Sequence, residues 1–158
     1  MRSGPERAVD FRPKAPVVIR DEREILAPPA SVWPVLTGVE AWPLWHRGIH
    51  LAVLRGELEP GTAIHWRADG MRIISRIAEV ERDRRVGWTL RTPGGRGYQR
   101  WILEPVSGSG GTETRVRLEE SWEGIVVSLL RRTLRKTLAR SRAEWLDGLK
   151  QRTEEQDG

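Results

Sequence analysis

Four polar side chains fall where the predicted strands of this chain otherwise place apolar residues, and these four are best suited to chemistry. They are Ser75, Gln99, Thr114 and Glu120. A buried carboxylate without a partner is costly, so Glu120 requires a hydrogen-bond donor, a proton or contact with water. Because removal from water favours the neutral form of a carboxyl group, Glu120 is the candidate catalytic acid or base. Gln99 and Ser75 could orient a carbonyl group beside it.

The other reactive residue types are too few or wrongly spaced for the common catalytic sites. The chain has no cysteine. His46, His50 and His65 are not paired with carboxylates at metal-ligand spacing, so no metal site is expected. A serine nucleophile elbow is missing. The glycines within 94–97 lie between two predicted strands, which indicates a hairpin turn rather than a phosphate-binding loop. No cofactor is expected.

Alternation along the predicted strands separates an apolar face from a face rich in arginine. Indoles beside a few polar groups are typical of a pocket for an apolar ligand, but the same side chains could simply fill a core. Both interpretations remain open. The candidate ligand-binding residues, on this face and on the last helix, are Trp66, Ile73, Ser75, Trp88, Gln99, Trp101, Val116, Glu120, Leu134 and Leu138.

Periodicity and chain breakers predict the elements that would position these residues. Residues 17–26 have the pattern of an edge strand, and the prolines after them favour a short helix that ends near residue 36. A second short helix is predicted around 40–45. Turn residues divide 51–122 into six strands, and 124–151 has the spacing of an amphipathic helix. This order predicts an α+β fold.

Length and charge define the broad class of protein. The 158 residues suit one domain, expected over 16–151, with disordered tails at 1–15 and 152–158. With 27 basic and 22 acidic residues, the net charge is +5. No apolar run approaches the length of a membrane span, and the N-terminus lacks the apolar segment of a signal peptide. A cytoplasmic location is therefore expected.

Five short motifs occur in an order that resembles a known family. The chain is similar to polyketide cyclase/dehydrase-type members of the START-related, birch-pollen-allergen-like (SRPBCC) superfamily over roughly residues 17–150. The motifs are the Pro-Ala-Ser-Val-Trp helix start at 29–33, Pro60-Gly61-Thr62, Gly87-Trp88-Thr89, the segment from Trp101 to Pro105, and Glu120-Ser121 before Gly124.

The resemblance implies a helix-grip fold, in which a seven-stranded antiparallel sheet wraps around a long C-terminal helix and encloses a cavity for a hydrophobic molecule. Two short helices would follow the first strand. Many similar sequences have a histidine two residues before the tryptophan of the sixth strand, where this chain has Gln99. Glutamine cannot exchange protons near neutral pH, so it does not supply acid–base catalysis there.

The favoured hypothesis is binding or carriage of a lipid-like, aromatic or polyketide-like molecule in an internal cavity lined by tryptophan. The alternative is a cyclase, dehydratase or aromatase that uses Glu120 as its acid or base. The basic stretch 131–142 could contact a membrane surface, or it could be the solvated back of an amphipathic helix. Its basic residues are not concentrated enough to favour nucleic acid. A monomer and a homodimer are both compatible with the sequence.

Overall fold

The computed structural model describes residues 10–108 and 111–158, and it contains one antiparallel sheet of seven strands. The sheet order is β1-β7-β6-β5-β4-β3-β2. The predicted α+β helix-grip fold is therefore confirmed. The strands are β1 (Val17–Ile25), β2 (Ile49–Leu54), β3 (Ala63–Ala68), β4 (Met71–Glu81), β5 (Arg85–Thr92), β6 (Gly95–Gly108) and β7 (Gly111–Glu123).

Four helices of the described residues accompany the sheet. They are α1 (Pro29–Thr37), α2 (Trp42–Trp45), α3 (Ile125–Leu129) and α4 (Arg131–Asp157), with a 3-10 turn at Val39–Ala41 before α2. Pro29 begins α1 at a position where a helix has no use for a backbone N–H. The two short helices lead the chain from β1 to β2, at opposite edges of the sheet, and the predicted pair of short helices is confirmed.

Residues with positive φ make the tight turns that link the strands. Asp69 and Gly70 have φ of 51° and 79°, which suits a two-residue hairpin turn between β3 and β4. Gly124, with φ of 132°, ends β7 close to the β5–β6 turn, and a Cβ there would lie 2.7 Å from the Gly94 carbonyl oxygen. Only glycine fits this contact, so it fixes where α3 begins.

The core lies between the inner face of the sheet and the helices, and α4 crosses it. The C-terminal part of α4 is tied to β1 by charged side chains. The guanidinium of Arg23 contacts Asp147 at 2.8 Å, and Lys150 Nζ donates to the Glu24 carbonyl oxygen at 2.7 Å. These contacts hold the helix against an edge strand that would otherwise present unpaired backbone groups.

The chain termini differ from the sequence prediction. The disordered tail predicted at 152–158 is wrong, because α4 continues to Asp157. Thr153 is buried, and Glu154 accepts hydrogen bonds from the Leu26 backbone N–H and from Lys150. The tail predicted at 1–15 lies partly outside the described residues. Within the described part, the Arg12 backbone N–H donates to Ser121 on β7, which a disordered segment would not do.

The last helical segment also differs in its start and its buried face. The single helix predicted over 124–151 is two helices, with a break at Leu130. Val126 and Leu130, which the spacing of a single helix over 124–151 would put on its buried face, are about half exposed, and only Val127 of α3 is buried. Because α3 lies across the end of the sheet rather than along its inner face, the apolar spacing of α4 does not extend into it.

Candidate functional site

An aromatic cluster fills the centre of the molecule, with Trp145 of α4 at its middle. The ring centroid of Trp145 lies 5.2 Å from Trp101, 5.4 Å from Trp42 and 5.6 Å from Trp66. Trp88 lies 6.4 Å away. Several of these pairs are edge-to-face, which is a favoured geometry for aromatic rings. Indoles from separate elements are therefore in mutual contact across the space between sheet and helix.

Glu120, on β7, is fully buried and forms an ion pair with Arg142 of α4. Arg142 Nε donates to Glu120 Oε2 at 2.7 Å, and its Nη2 donates to Oε1 at 2.9 Å. Gln99 Nε2 donates to the same Oε1 at 3.0 Å. This fork geometry is the strongest form of carboxylate recognition in proteins. The hydrogen-bond donor that burial of Glu120 requires is thus supplied by Arg142 of α4, the helix that packs against the inner face of the sheet.

The network continues from Glu120 into the aromatic cluster. The side-chain oxygen of Gln99 accepts the indole N–H of Trp101 at 3.0 Å, so one amide links the ion pair to an aromatic ring. The remaining polar residues of the inner face form hydrogen bonds that are not part of this network. Ser75 accepts the indole N–H of Trp66 at 3.0 Å, and Thr114 donates to the Ala27 carbonyl oxygen at 2.7 Å.

The His46 ring belongs to the same cluster, with its centroid 5.3 Å from that of Trp145. Three buried N–H donors of the cluster lack an acceptor among the described residues: Trp88 Nε1, Trp145 Nε1 and His46 Nε2. The Nδ1 atom of His46 accepts the Gly48 backbone N–H at 3.0 Å, so the neutral ring carries its proton on Nε2. Burial, and then the charge of Arg142, lowers the pKa of His46, which favours this neutral form. Outside the cluster, the indole N–H groups of Trp45 and Trp122 also lack an acceptor among the described residues.

The structure brings most of the predicted site residues together. Trp66, Trp88, Trp101, Ser75, Gln99 and Glu120 are buried around the cluster and its network, and Ile73 and Val116 belong to the surrounding apolar core. Leu134 and Leu138 are only half-buried, on the N-terminal part of α4. That these residues contact a ligand stays a prediction.

Two sizeable depressions of the described chain lie at its surface rather than between the indoles. A depression of about 440 Å³ over β2, β3 and β4 includes Trp66 and Ile73 in its lining, together with His50 and His65. Another, of about 430 Å³, lies beside the β5–β6 turn and α3. Neither is lined by Glu120 or Gln99. The tryptophans expected to line a cavity instead contact one another.

Sequence reasoning missed three residues of this site: Trp42, His46 and Arg142. Arg142 was placed with the solvated basic residues of the helix, although it precedes Trp145 by three positions and Leu149 by seven. Those spacings put it on the buried face, so periodicity could have identified it. Trp42 and His46 carry no such signal, because they belong to short irregular segments whose buried side is decided by tertiary packing.

Two general features of the described residues bear on the kind of site. No group of three or more histidines or carboxylates in residues 10–108 and 111–158 is placed to hold a metal ion. In the same residues, no helix is long and apolar enough to cross a membrane.

The seven-stranded sheet and its long C-terminal helix place this chain in the class of helix-grip proteins. A sequence profile described as "Polyketide cyclase / dehydrase and lipid transport" matches residues 16–154. The chain belongs to that family, as the resemblance in its sequence predicted. No curated protein matches it in sequence.

Several solved structures share the fold at low identity. A hypothetical protein from Helicobacter pylori superposes with a TM-score of 0.77 at 15% identity, covering 96% of this chain and 99% of the other. A Thermus thermophilus protein gives 0.71 at 23% identity, with 86% and 96% covered. The Zhui aromatase/cyclase of a Streptomyces species gives 0.77 at 13% identity, with 89% and 95% covered. At these identities the likeness extends to the fold alone.

Proposed function

We propose that this protein binds or carries a hydrophobic small molecule that bears oxygen acceptors, between the inner face of the sheet and α4. The observation that carries this proposal is the set of three unpartnered N–H donors inside the aromatic cluster, on Trp88, Trp145 and His46. Membership of a family described by cyclase, dehydrase and lipid-transport activities supports the same kind of ligand.

The physical argument rests on the cost of burying unpaired donors. Each buried N–H without an acceptor costs about 1–3 kcal/mol, and native proteins contain few of them. A ligand carbonyl or hydroxyl oxygen would accept such a bond, while flat rings or acyl chains would contact the indoles. An aromatic or polyketide-like molecule provides both features in one structure, and a lipid provides them when its polar end reaches the cluster.

Entry of a ligand requires the cluster to loosen, because the rings of Trp42, Trp66 and Trp101 all lie within 6 Å of at least one neighbouring indole. The N-terminal half of α4 is the part best able to move. Over residues 131–141 none of its side chains is fully buried, and Leu134 and Leu138 are half-buried against the core. We expect the ligand to enter beneath this half of the helix.

A cyclase, dehydratase or aromatase remains the second candidate, and the buried ion pair favours it. Such pairs add little stability compared with apolar side chains of similar size, so a charged pair in a core suggests a role in function. In this structure both oxygens of Glu120 accept bonds from Arg142 or Gln99. Proton transfer by Glu120 would therefore require the ligand to displace one of these donors.

Native mass spectrometry of freshly purified protein, compared with its denatured mass, tests the binding proposal. We expect a discrete additional mass of a few hundred daltons, or one that appears after incubation with a hydroxylated anthraquinone. Trp88→Phe should reduce its retention because it removes an unpartnered donor. Trp66→Phe is the matched control for ring size, since its N–H is already bonded to Ser75. A persistently ligand-free mass for the wild-type protein would contradict the proposal.

The second candidate is tested with the same compounds. Glu120→Gln should leave binding measurable and abolish any conversion of a polyketide-like substrate if Glu120 transfers protons. Unchanged turnover in this variant would eliminate Glu120 as the acid or base. Binding without conversion in the wild-type protein would favour carriage.

A further inference from the structure

Four large apolar side chains are exposed together where β7 gives way to the last helices. Ile125 is 81% exposed and Leu129 78%, while Leu130 and Val126 are 52% and 45% exposed. We call these four residues the apolar tip. Val127 alone of α3 points inward, and it holds the helix against the β5–β6 turn at Gly95. The tip is thus carried on a fixed support while most of its own surface is in water.

A run of basic residues follows the apolar tip directly on α4. Arg131, Arg132, Arg135, Lys136 and Arg140 are all exposed, and we call them the basic face. Arg132, Lys136 and Arg140 are four residues apart and so lie along one side of the helix. Between Gly124 and Ala143 the sequence contains no acidic residue.

The basic face differs from the arginines of the strands in its lack of ion-pair partners among the described residues. Arg100, Arg96 and Arg117 each form ion pairs on the sheet surface, with Glu79, Glu123 and Glu104. No residue of the basic face forms an ion pair within residues 10–108 and 111–158. Its charges are therefore free to meet an external anion.

We propose that the apolar tip and the basic face together form a docking surface for an anionic lipid bilayer. Exposed leucine and isoleucine beside arginine and lysine is the composition of segments that lie at a membrane surface. The tip would enter the boundary between headgroups and acyl chains. The guanidinium groups would bind headgroup phosphates and carboxylates, with which arginine forms paired hydrogen bonds.

The charge of the surface and its apolar part together favour a bilayer over other partners. Duplex nucleic acid would satisfy the basic face but would leave four apolar side chains in water. A second copy of the chain could cover the apolar tip, but a symmetric contact would bring two basic faces together at a cost in repulsion. An anionic bilayer meets both parts of the surface at once.

The test is co-sedimentation of the full-length protein with vesicles of phosphatidylcholine alone and with one-third phosphatidylserine. We expect at least roughly tenfold tighter binding to the anionic vesicles, and weaker binding as salt is raised. The double variant Ile125→Ser/Leu129→Ser and the double variant Arg132→Gln/Lys136→Gln should each reduce binding by roughly tenfold or more. Because all four residues are exposed, thermal unfolding should show that both variants remain folded.

Matched controls are available elsewhere on the surface. Leu44→Ser/Leu51→Ser removes two other exposed leucines, and Arg67→Gln/Arg72→Gln removes two exposed arginines of the sheet. Both should bind anionic vesicles like the wild-type protein. Equal binding to the two kinds of vesicle, or equal losses in the control variants, would overturn the proposal. The proposal would also be overturned if the protein did not bind vesicles but bound duplex DNA. It would likewise be overturned if the protein formed a dimer that the Ile125→Ser/Leu129→Ser variant dissociates. None of these outcomes depends on the internal ligand site.

Discussion

The two halves of α4 differ in almost every respect although they form one continuous helix. Residues 142–157 bury Arg142, Trp145, Leu146, Leu149 and Thr153 against the sheet and β1. Residues 131–141 bury no side chain fully and carry the basic face. The C-terminal half therefore belongs to the core, whereas most side chains of the N-terminal half are exposed to solvent.

The charges of the N-terminal half do not serve the stability of the helix. The positive end of the helix dipole lies at Arg131, and basic residues near it are unfavourable. The residue before the helix, Leu130, provides no side-chain cap either. The start of the helix at Arg131 puts Arg131 and Arg132 in its first turn, which is a reason to look for a function of these charges.

The largest effect should come from Trp145, because it contacts aromatic rings from several elements. Trp145→Ala should reduce the free energy of unfolding by about 3–5 kcal/mol, as truncations of large buried side chains do. Leu134→Ala, in the other half, should cost only about 1 kcal/mol because Leu134 is half-buried. Urea denaturation measures both. Similar losses for the two variants would show that the halves contribute equally to the core.

The next effect concerns the ion pair that joins α4 to β7. Arg142→Met leaves Glu120 as a buried carboxylate without its charged partner, and should cost about 3 kcal/mol or more. Adding Glu120→Leu to this variant should recover most of the loss, because the two apolar side chains can pack together. The same denaturation experiment tests both. If Arg142→Met were as stable as the wild-type protein, the Glu120–Arg142 ion pair would not be removed from water.

A pH-dependent effect is expected from His46, next to the C-terminal half. Burial lowers its pKa below the ordinary value of 6.5, so the unfolded chain takes up this proton at higher pH than the folded one. The contribution of the neutral His46 ring to the free energy of unfolding is therefore fully present above about pH 6.5. It decreases as the pH falls through that value toward the pKa of His46 in the folded protein. The charges of Asp69 and Glu144 oppose the shift, and that of Arg142 adds to it.

Denaturation series from about pH 8 to pH 5.5 measure this slope. His46→Asn retains an acceptor for the Gly48 N–H but cannot be protonated, so its slope should be flatter. An identical slope in the variant would assign the pH dependence to other groups.

The smallest effect is expected in the N-terminal half. Arg131→Gln/Arg132→Gln removes two cations from the positive end of the helix dipole and should stabilise the protein slightly, by about 0.5 kcal/mol. Lys150→Gln, in the other half, should destabilise it, since Lys150 bonds to Glu24 and Glu154. Thermal unfolding at low salt compares the two. A loss of stability in the first variant would show that the basic face supports the fold.

Much of this architecture could be predicted from the sequence, because alternation and turn residues determine an antiparallel sheet locally. The inner positions of Trp66, Trp88, Trp101 and Glu120 follow directly from period two. The partner of Glu120 could not be identified with the same assurance, since Arg142 comes from a different layer. Whether the indoles surround a space or fill it depends on how far Trp145 and Trp42 reach between them, and strand periodicity contains no information on that distance.

The pairing of β1 with β7 has a consequence for how the chain folds. Val17 is opposite Trp122, and Ile25 is opposite Thr114, so the first strand pairs with a strand roughly 100 residues later in the sequence. During synthesis, β1 must wait until β7 has left the ribosome. Contacts between such distant residues slow folding, because a long loop must close before they form. The consecutive hairpins from β3 to β7 can assemble first, and the edge strand and α4 then complete the domain together.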